Sequence, residues 1–301
     1  MPAGRSMSPS DWGLLCILSA LWGGSFFFNK IAVGEVPPVT VACARVGFGA
    51  VLLVLIARAT GAQAPFRKLW RPLAAMGLLN NVLPFSLILW SQTHVASGLA
   101  SILIATTPLF SVLIAHLVTD DDKLTAARAF GLAAGLAGVV VMLGPDLLHE
   151  LGADVLAQLA LLLAAFFFAV SGVYGRRFSA YPPAAIAAGQ MIAATAMLLP
   201  TALFIDQVWT LPAPSPAAVG AIAGLAVLST ALAYLIYFRI LACAGATNLM
   251  LVNFLVPVSA ILLGVGLLGE RLAPRQIAGM AIIALGLAAI DGRLARRLGK
   301  G

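Results

Sequence analysis

Polar and aromatic side chains recur at helical spacing inside the long apolar stretches of this chain. Residues at i, i+3, i+4 and i+7 share one face of a helix. Four such faces carry Trp22, Phe26 and Asn29; Asn81, Phe85 and Gln92; Thr230, Tyr234 and Tyr237; and Met250, Asn253 and Pro257. Amides and hydroxyls are costly in hydrocarbon, so they must face a neighbouring helix or an internal cavity. One such residue alone would more often join two helices, but the four faces together favour a binding cavity.

The predicted cavity suits a small molecule with polar ends and an apolar body. Amide and hydroxyl groups supply hydrogen bonds for the ends, and aromatic rings cover the body. This is the recognition that a small zwitterion would need. The predicted substrate-binding residues are Trp22, Phe26, Asn29, Asn81, Phe85, Thr230, Tyr234, Tyr237 and Asn253.

Two cations and two prolines complete the set of candidate functional residues. Arg45 lies about seven residues into the second predicted span, where a cation is functional by default or extends its charge outward to water. Lys30 lies nearer the membrane surface, and both cations are predicted to line a vestibule. Pro108 and Pro257 each remove one helical hydrogen bond near mid-membrane. Each is a predicted hinge, with a static kink as the alternative.

The composition places most of these residues inside a membrane. The chain is 61% hydrophobic and 10% charged, whereas a globular domain has about 25% charged residues. Its apolar runs are about 20 residues long, as a helix that crosses a bilayer requires. We predict an all-α integral membrane protein with ten transmembrane helices, at about 12–32, 38–58, 72–92, 96–118, 125–144, 154–175, 182–205, 215–238, 245–267 and 274–291. The first run lacks a convincing cleavage site and is predicted to be a span rather than a signal peptide.

The chain also repeats itself at an offset near 148 residues. The matched pairs are Pro108 and Pro257, Asp122 and Glu270, Gly131 and Gly279, Gly138 and Gly286, Asn81 and Ser229, and, at an offset of 145, Arg45 and Gln190. A repeat of this size predicts two related halves, residues 1–145 and 146–301, with five spans each. Because five is odd, the second half would enter the membrane from the opposite side, which makes the repeat inverted.

The basic residues predict the orientation of the chain. With the amino terminus inside, the inner segments hold 14 lysines and arginines and the outer segments hold 3, while Arg45 lies within a span. Cytoplasmic loops of membrane proteins are rich in these residues, so both termini are predicted to be cytoplasmic. The loops also account for the net charge of +7. The expected partners are therefore the lipid bilayer and a small-molecule substrate, with no nucleic acid.

Several of these features resemble the EamA family of the drug/metabolite transporter superfamily. They are the Trp22-Gly23-Gly24-Ser25 start, the proline-centred fourth and ninth spans, and the sequence Gly-Glu-Arg-Leu at 269–272. The first-half counterpart at 121–124 departs from that signature and is Asp-Asp-Lys-Leu. The resemblance implies a multi-pass transporter of the bacterial inner membrane that works as a monomer without a cofactor. Exporters of small metabolites, above all of aromatic amino acids, are the most similar members. Glu270 and Arg271 are interpreted as the structural end of a packed motif.

The positions of the acidic residues indicate whether transport is coupled to protons. All eleven are predicted at span ends or in loops: Asp11, Glu35, Asp120, Asp121, Asp122, Asp146, Glu150, Asp154, Asp206, Glu270 and Asp291. A proton-coupled transporter generally titrates a carboxylate or histidine inside the membrane. We therefore expect alternating access by facilitated diffusion, with a multidrug or other metabolite carrier, including a proton-coupled one, as the alternative.

An enzyme and a channel are both disfavoured. The nearest candidates for a membrane serine protease, Ser97 and His116, lie near opposite ends of one predicted span and are too far apart to react together. The cysteines and histidines show no metal-ligand spacing. A channel usually has symmetric subunits or a ring of like groups, which a single chain with two unlike halves does not supply.

Overall fold

The computed structural model describes residues 8–118, 125–143, 152–249 and 251–291, and their regular secondary structure is helical. The α-helices are α1 (Pro9–Ala32), α2 (Pro38–Ala59), α3 (Phe66–Gly77), α4 (Leu83–His94), α5 (Ser97–Ile104), α6 (Thr107–Val118), α7 (Ala126–Leu143), α8 (Ala153–Gly175), α9 (Pro183–Asp206), α10 (Pro216–Ala226), α11 (Ala233–Ala244), α12 (Ala246–Leu249), α13 (Val252–Leu268) and α14 (Pro274–Asp291). Short 3₁₀ turns follow α8 and α9, at Arg176–Phe178 and Val208–Thr210.

The helices have the length and composition of a multi-pass membrane protein. Seven stretches of the described chain are long and apolar enough to cross a bilayer. They are Pro9–Ala32, Pro38–Ala59, Phe66–His94, Ser97–Val118, Ala153–Phe178, Pro183–Asp206 and Pro216–Leu241. Three further apolar helices are shorter, at Arg128–Leu143, Val252–Leu268 and Pro274–Ile290. The all-helical membrane class is thus confirmed, while the number of ten crossings stays a prediction.

Two of the long stretches contain a π-helical turn at matching places in the two halves. Leu78–Val82 joins α3 to α4, and Val227–Leu232 joins α10 to α11. A π turn accommodates one extra residue, which rotates the following side chains by about 100° relative to a regular helix. Such turns are frequent at functional sites. Here they change which residues share a helix face.

Glycines bring α7 and α14 together along their length. A β-carbon on Gly131 would lie 2.5 Å from the carbonyl oxygen of Gly286, and one on Gly286 would lie 2.6 Å from that of Gly131. Gly138 and Gly279 approach each other in the same reciprocal way, at 2.8 and 2.7 Å. The order of these contacts makes the two helices antiparallel. Because Gly131 matches Gly279 and Gly138 matches Gly286, the contact has the local two-fold reciprocity that an inverted repeat would produce.

The helix of the fourth predicted span is broken just before Pro108. α5 ends at Ile104 and α6 begins at Thr107, so Pro108 occupies the first turn of α6, where its missing N–H costs nothing. The hydroxyls of Thr106 and Thr107 donate to the carbonyl oxygens of Leu103 and Ile104, at 2.6 and 2.7 Å. These two carbonyls next to the break are therefore already hydrogen-bonded.

The ninth predicted span is broken at a different distance from its proline. α13 begins at Val252, and Pro257 lies inside this helix, where it is buried. A hinge changes its angle between two conformations, and the structure shows one conformation of each helix break. The hinge role of Pro108 and Pro257 therefore stays a prediction. Met250, which was predicted to share a face with Asn253, lies outside the described residues.

Carboxylates join the two halves at one end of the molecule, which we call the closed end. It comprises the connections 33–37, 95–96, 207–215 and 269–273. Three carboxylates in or next to these connections accept backbone N–H groups from the N-terminal end of a helix in the other half: Glu35 from Ser215 at 2.8 Å, Asp206 from Thr40 at 2.9 Å, and Glu270 from Ser97 at 2.8 Å. A carboxylate at a helix N-terminus satisfies unpaired donors and complements the helix dipole. Hydrogen bonds from Ser215 hold the pKa of the Glu35 carboxyl below its usual range.

Candidate functional site

A cavity of about 770 Å³ lies between the helices of the two halves. This volume is within the range of about 300–1,000 Å³ that is typical of small-molecule sites. The cavity extends to the connection between α8 and α9, where Phe178, Ser179 and Tyr181 line it. We call this the Tyr181 end. No residue of the closed end lines the cavity, so it is continuous with one end of the molecule and separated from the other.

The structure brings most of the predicted site residues together around this cavity. Its lining includes Trp22, Phe26, Asn29, Arg45, Phe85, Thr230, Tyr234, Tyr237 and Asn253. The lining does not include Asn81, Lys30, Pro108 or Pro257. That these residues bind a substrate stays a prediction, but nine of them share one cavity.

Close packing of α1 against α13 helps to place Trp22 at the cavity. A β-carbon on Gly23 would lie 2.8 Å from the backbone nitrogen of Ala260, so only glycine allows this approach. The hydroxyl of Ser259 donates to the carbonyl oxygen of Ser19 at 2.7 Å and fixes the same helix pair. Trp22 then contacts Tyr237 across the cavity, with ring centroids 5.8 Å apart.

The π turn before α4 decides which asparagine reaches the cavity. In a regular helix Asn81 and Phe85 share a face by i, i+4 spacing. The extra residue of the π turn instead aligns Asn80 with Phe85, and both line the cavity. Asn81 is fully buried, and neither its Oδ1 nor its Nδ2 has a hydrogen-bond partner among the described residues.

A neutral polar network surrounds Asn80. Its Nδ2 donates to the Oε1 of Gln190 at 3.3 Å, and its Oδ1 accepts the hydroxyl of Ser171 at 2.9 Å. The hydroxyl of Tyr234 lies against the amides of both Asn80 and Gln190. Sequence reasoning did not select Asn80, Ser171 or Gln190 as site residues. Each is a polar residue inside a predicted span, and the match of Gln190 to Arg45 in the repeat was a further signal.

A second amide pair closes part of the wall near α1. The Nδ2 of Asn29 donates to the Oε1 of Gln92 at 2.9 Å, and Gln92 in turn donates to the carbonyl oxygen of Phe26 at 2.8 Å. The Oδ1 of Asn29 has no partner among the described residues. Asn29 therefore keeps an acceptor for which the described part of the chain supplies no donor.

Aromatic rings form the apolar part of the wall. Phe85 and Phe168 meet edge to face with centroids 6.2 Å apart, and Tyr234 and Tyr237 meet in the same way at 6.3 Å. Edge-to-face pairs of this kind are stabilising and leave ring faces free for other contacts. The cavity can thus hold an apolar or aromatic group on one side and polar groups on another.

The two predicted vestibule cations have different surroundings. Lys30 donates to the carbonyl oxygens of Gln92 and Val95, at 2.7 and 3.0 Å, and so neutralises the end of α4. Arg45 lies in the cavity wall with 7% of its surface exposed. Its guanidinium carbon stands 4.1 Å from the centre of the Phe85 ring. The Nε of Arg45 has no hydrogen-bond partner in the described part of the chain.

Comparison with known proteins identifies relatives that cover most of the chain. The chain is 28% identical over 277 residues to YedA of Escherichia coli K12, named an uncharacterized inner membrane transporter, with 90% of this chain and 87% of that protein covered. It is 26% identical over 295 residues to a probable terminal-alkyne amino-acid exporter of Streptantibioticus cattleyicolor, with 97% and 96% covered. A solved crystal structure matches with a TM-score of 0.66 at 21% identity, over 96% of this chain and 99% of that one. The last match shows the fold alone.

The model of one family matches the chain twice, once in each half. The matched residues are 11–144 and 155–290, and the family is described as the EamA-like transporter family. Together the two segments cover most of the 301 residues. The helices, the relatives named as inner membrane transporters and this family match agree on a multi-pass inner membrane protein. The chain belongs to the EamA-like transporter family.

Proposed function

We propose that this protein exports amino acids with aromatic or hydrophobic side chains, or similar small metabolites, across the bacterial inner membrane. One observation carries the proposal: a single cavity combines aromatic walls with neutral amides and hydroxyls. A zwitterion with an apolar side chain needs both kinds of surface. The exporter of S. cattleyicolor, whose name specifies an amino acid, supports the same substrate class.

Alternating access is the proposed mechanism. The cavity reaches the Tyr181 end, and hydrogen bonds between the halves hold the closed end together. Binding and release on opposite sides then require these contacts to break while the Tyr181 end closes. With both termini cytoplasmic, as the basic residues predict, the Tyr181 end faces the cytoplasm, where an exported substrate enters. We propose that a monomer of two inverted five-helix halves, 1–145 and 146–301, carries out this cycle.

Facilitated diffusion is the proposed energetics. The described residues that line the cavity include no aspartate, glutamate or histidine. The polar groups there are amides, hydroxyls and the Arg45 guanidinium, which does not release its proton at physiological pH. The substrate's own gradient would therefore drive export.

The size of the cavity supports a second candidate, a multidrug or other metabolite carrier of the same superfamily. A volume of about 770 Å³ is large enough for drug-sized ligands. The two candidates differ in the breadth of their substrates and in their coupling to protons.

Counterflow in proteoliposomes distinguishes them. Vesicles loaded with an unlabelled compound are tested for uptake of labelled L-phenylalanine, with a panel of amino acids, neutral metabolites and cationic dyes as the loaded compound. Amino-acid exchange that is unchanged by an imposed pH difference is the expected result. Absence of labelled L-phenylalanine uptake into vesicles loaded with any of the amino acids, or uphill accumulation driven by the pH difference, would contradict the proposal and favour the second candidate.

A further inference from the structure

Arg45 is a buried charge for which the described residues of the cavity wall supply no counterion. It lies in the cavity wall with 7% of its surface exposed, and its Nε has no hydrogen-bond partner in the described residues. No described residue that lines the cavity carries a carboxylate. The contact that the structure does provide is the face of the Phe85 ring, 4.1 Å away.

A charge in this position is costly unless something binds it. Removing an ion from water carries a large desolvation penalty, and an aromatic face offsets only part of it. Extension of the side chain to the membrane surface would relieve the penalty, but the guanidinium is instead held against Phe85 inside the wall. The described side chains thus leave the Nε donor of this buried cation unused.

The remaining groups near Arg45 narrow the identity of its ligand. Thr230 packs against the same face of α2, since a β-carbon added to Gly49, one turn after Arg45, would lie 2.9 Å from the Thr230 methyl group. The Oγ1 of Thr230 has no hydrogen-bond partner among the described residues. The Tyr234 hydroxyl and the Gln190 amide belong to the neutral network close by. One cation with neutral hydroxyls suits a singly charged group better than a phosphate, which generally needs several cations or a helix N-terminus.

We infer that Arg45 binds the carboxylate of the transported molecule, and that this carboxylate, not an ammonium group, is the charge that the site recognises. A guanidinium forms two parallel hydrogen bonds with a carboxylate. The substrates are then organic carboxylates with an apolar or aromatic body, amino acids among them. Their ammonium group meets neutral acceptors only, such as the Oδ1 of Asn29. The inference rests on the proposed transport function and specifies the substrate class for the same cavity.

Three related probes test the role of each charge: L-phenylalanine, its des-amino analogue 3-phenylpropionate and its decarboxylated analogue phenethylamine. Affinities are measured by isothermal titration with the full-length protein in detergent. The wild type is expected to bind both carboxylates within about tenfold of each other, since the ammonium meets neutral acceptors only and the net gain from such a hydrogen bond is small. Phenethylamine is expected to bind at least tenfold more weakly than either.

Variants at Arg45 test the contact itself. Arg45→Gln should weaken both carboxylates by about 10- to 100-fold, and Arg45→Lys should recover part of the loss because it restores the charge without the planar fork. Arg58→Gln is the matched control, because Arg58 lies on the same helix, is exposed and does not line the cavity. Thermal unfolding establishes that each variant is folded. Arg45→Gln removes an uncompensated charge, so its unfolding temperature should be at or above that of the wild type.

The outcomes separate this inference from the proposed function. Equal binding of L-phenylalanine by wild type and Arg45→Gln, or tight binding of phenethylamine, would overturn the inference and leave amino-acid export standing. Binding of 3-phenylpropionate but not of L-phenylalanine would support the inference and overturn amino-acid export. If neither carboxylate binds the wild type, both are overturned.

Discussion

Glu270 offers the sharpest test of how the two halves are held together. Its carboxylate accepts the backbone N–H of Ser97 at 2.8 Å, the hydroxyl of the same serine at 2.7 Å and the N–H of Gly98 at 3.3 Å. Ser97 is fully buried, so water replaces the lost acceptor poorly. In Glu270→Ala, these donors at the start of α5 lose their partner.

The structure sets the expected magnitude of this change. A hydrogen bond to a charged group contributes about 1.5–3 kcal/mol, and loss of a helix cap costs about 0.5–2 kcal/mol. Glu270 is only partly buried, which reduces the effect, so we expect Glu270→Ala to lower the free energy of unfolding by about 2–3 kcal/mol. At about 2 °C per kcal/mol for a chain of this size, the unfolding temperature should fall by about 4–6 °C.

Thermal unfolding in detergent, followed by tryptophan fluorescence, measures this shift. Arg271→Gln is the matched control, because Arg271 is the exposed neighbour of Glu270, and its unfolding temperature should stay within about 1 °C of the wild type. Gly264→Ala disturbs the same contact from another side, since a β-carbon there would collide with the Glu270 carboxylate and lie 2.7 Å from the Ser97 hydroxyl. Gly264→Ala should therefore also destabilise the protein. Equal unfolding temperatures for Glu270→Ala and Arg271→Gln would refute the assigned role of the carboxylate.

The fold and the cavity also make the topology, the aromatic wall, the Pro257 kink and the α7–α14 contact testable. In a background without the native cysteines, a cysteine that replaces Ala153 should react with an impermeant maleimide from outside and one that replaces Ala64 should not; the opposite pattern would contradict the predicted orientation. Trp22→Ala should raise the half-saturating substrate concentration in counterflow by about tenfold or more while the protein stays folded, because an aromatic wall that contacts the substrate is removed; unchanged counterflow would place the site elsewhere. Pro257→Ala should lower the exchange rate more than the affinity, since it restores a straight hydrogen-bonded helix. Equal exchange rates for the variant and the wild type would show that the proline serves only in packing. Gly138→Leu should prevent α7 and α14 from packing and lower the yield of folded protein, whereas a wild-type yield and unfolding temperature would show that this contact is dispensable.

The sequence alone determined the class of the protein and most of its candidate site. Hydrophobicity over runs of about 20 residues has few structural solutions in a membrane, because each backbone polar group must be satisfied within the chain. The same constraint makes a polar side chain inside such a run conspicuous, and helical spacing then predicts its neighbours on one face. Trp22 and Phe26, or Tyr234 and Tyr237, were grouped correctly in this way because no irregular turn separates them.

Only the tertiary structure shows the features that depend on an irregular helical turn or on contacts between segments far apart in the sequence. The π turn at Leu78–Val82 places Asn80 rather than Asn81 in the cavity wall, because its extra residue rotates the helix face. The regular helical spacing used to interpret the sequence does not include such a turn. The partner of Glu270 is Ser97, 173 positions away, and a contact at such a distance depends on how the helices assemble. The sequence already showed Arg45 as a cation inside a span. Only the structure shows that its Nε has no partner among the described residues and that the described lining of its cavity has no carboxylate.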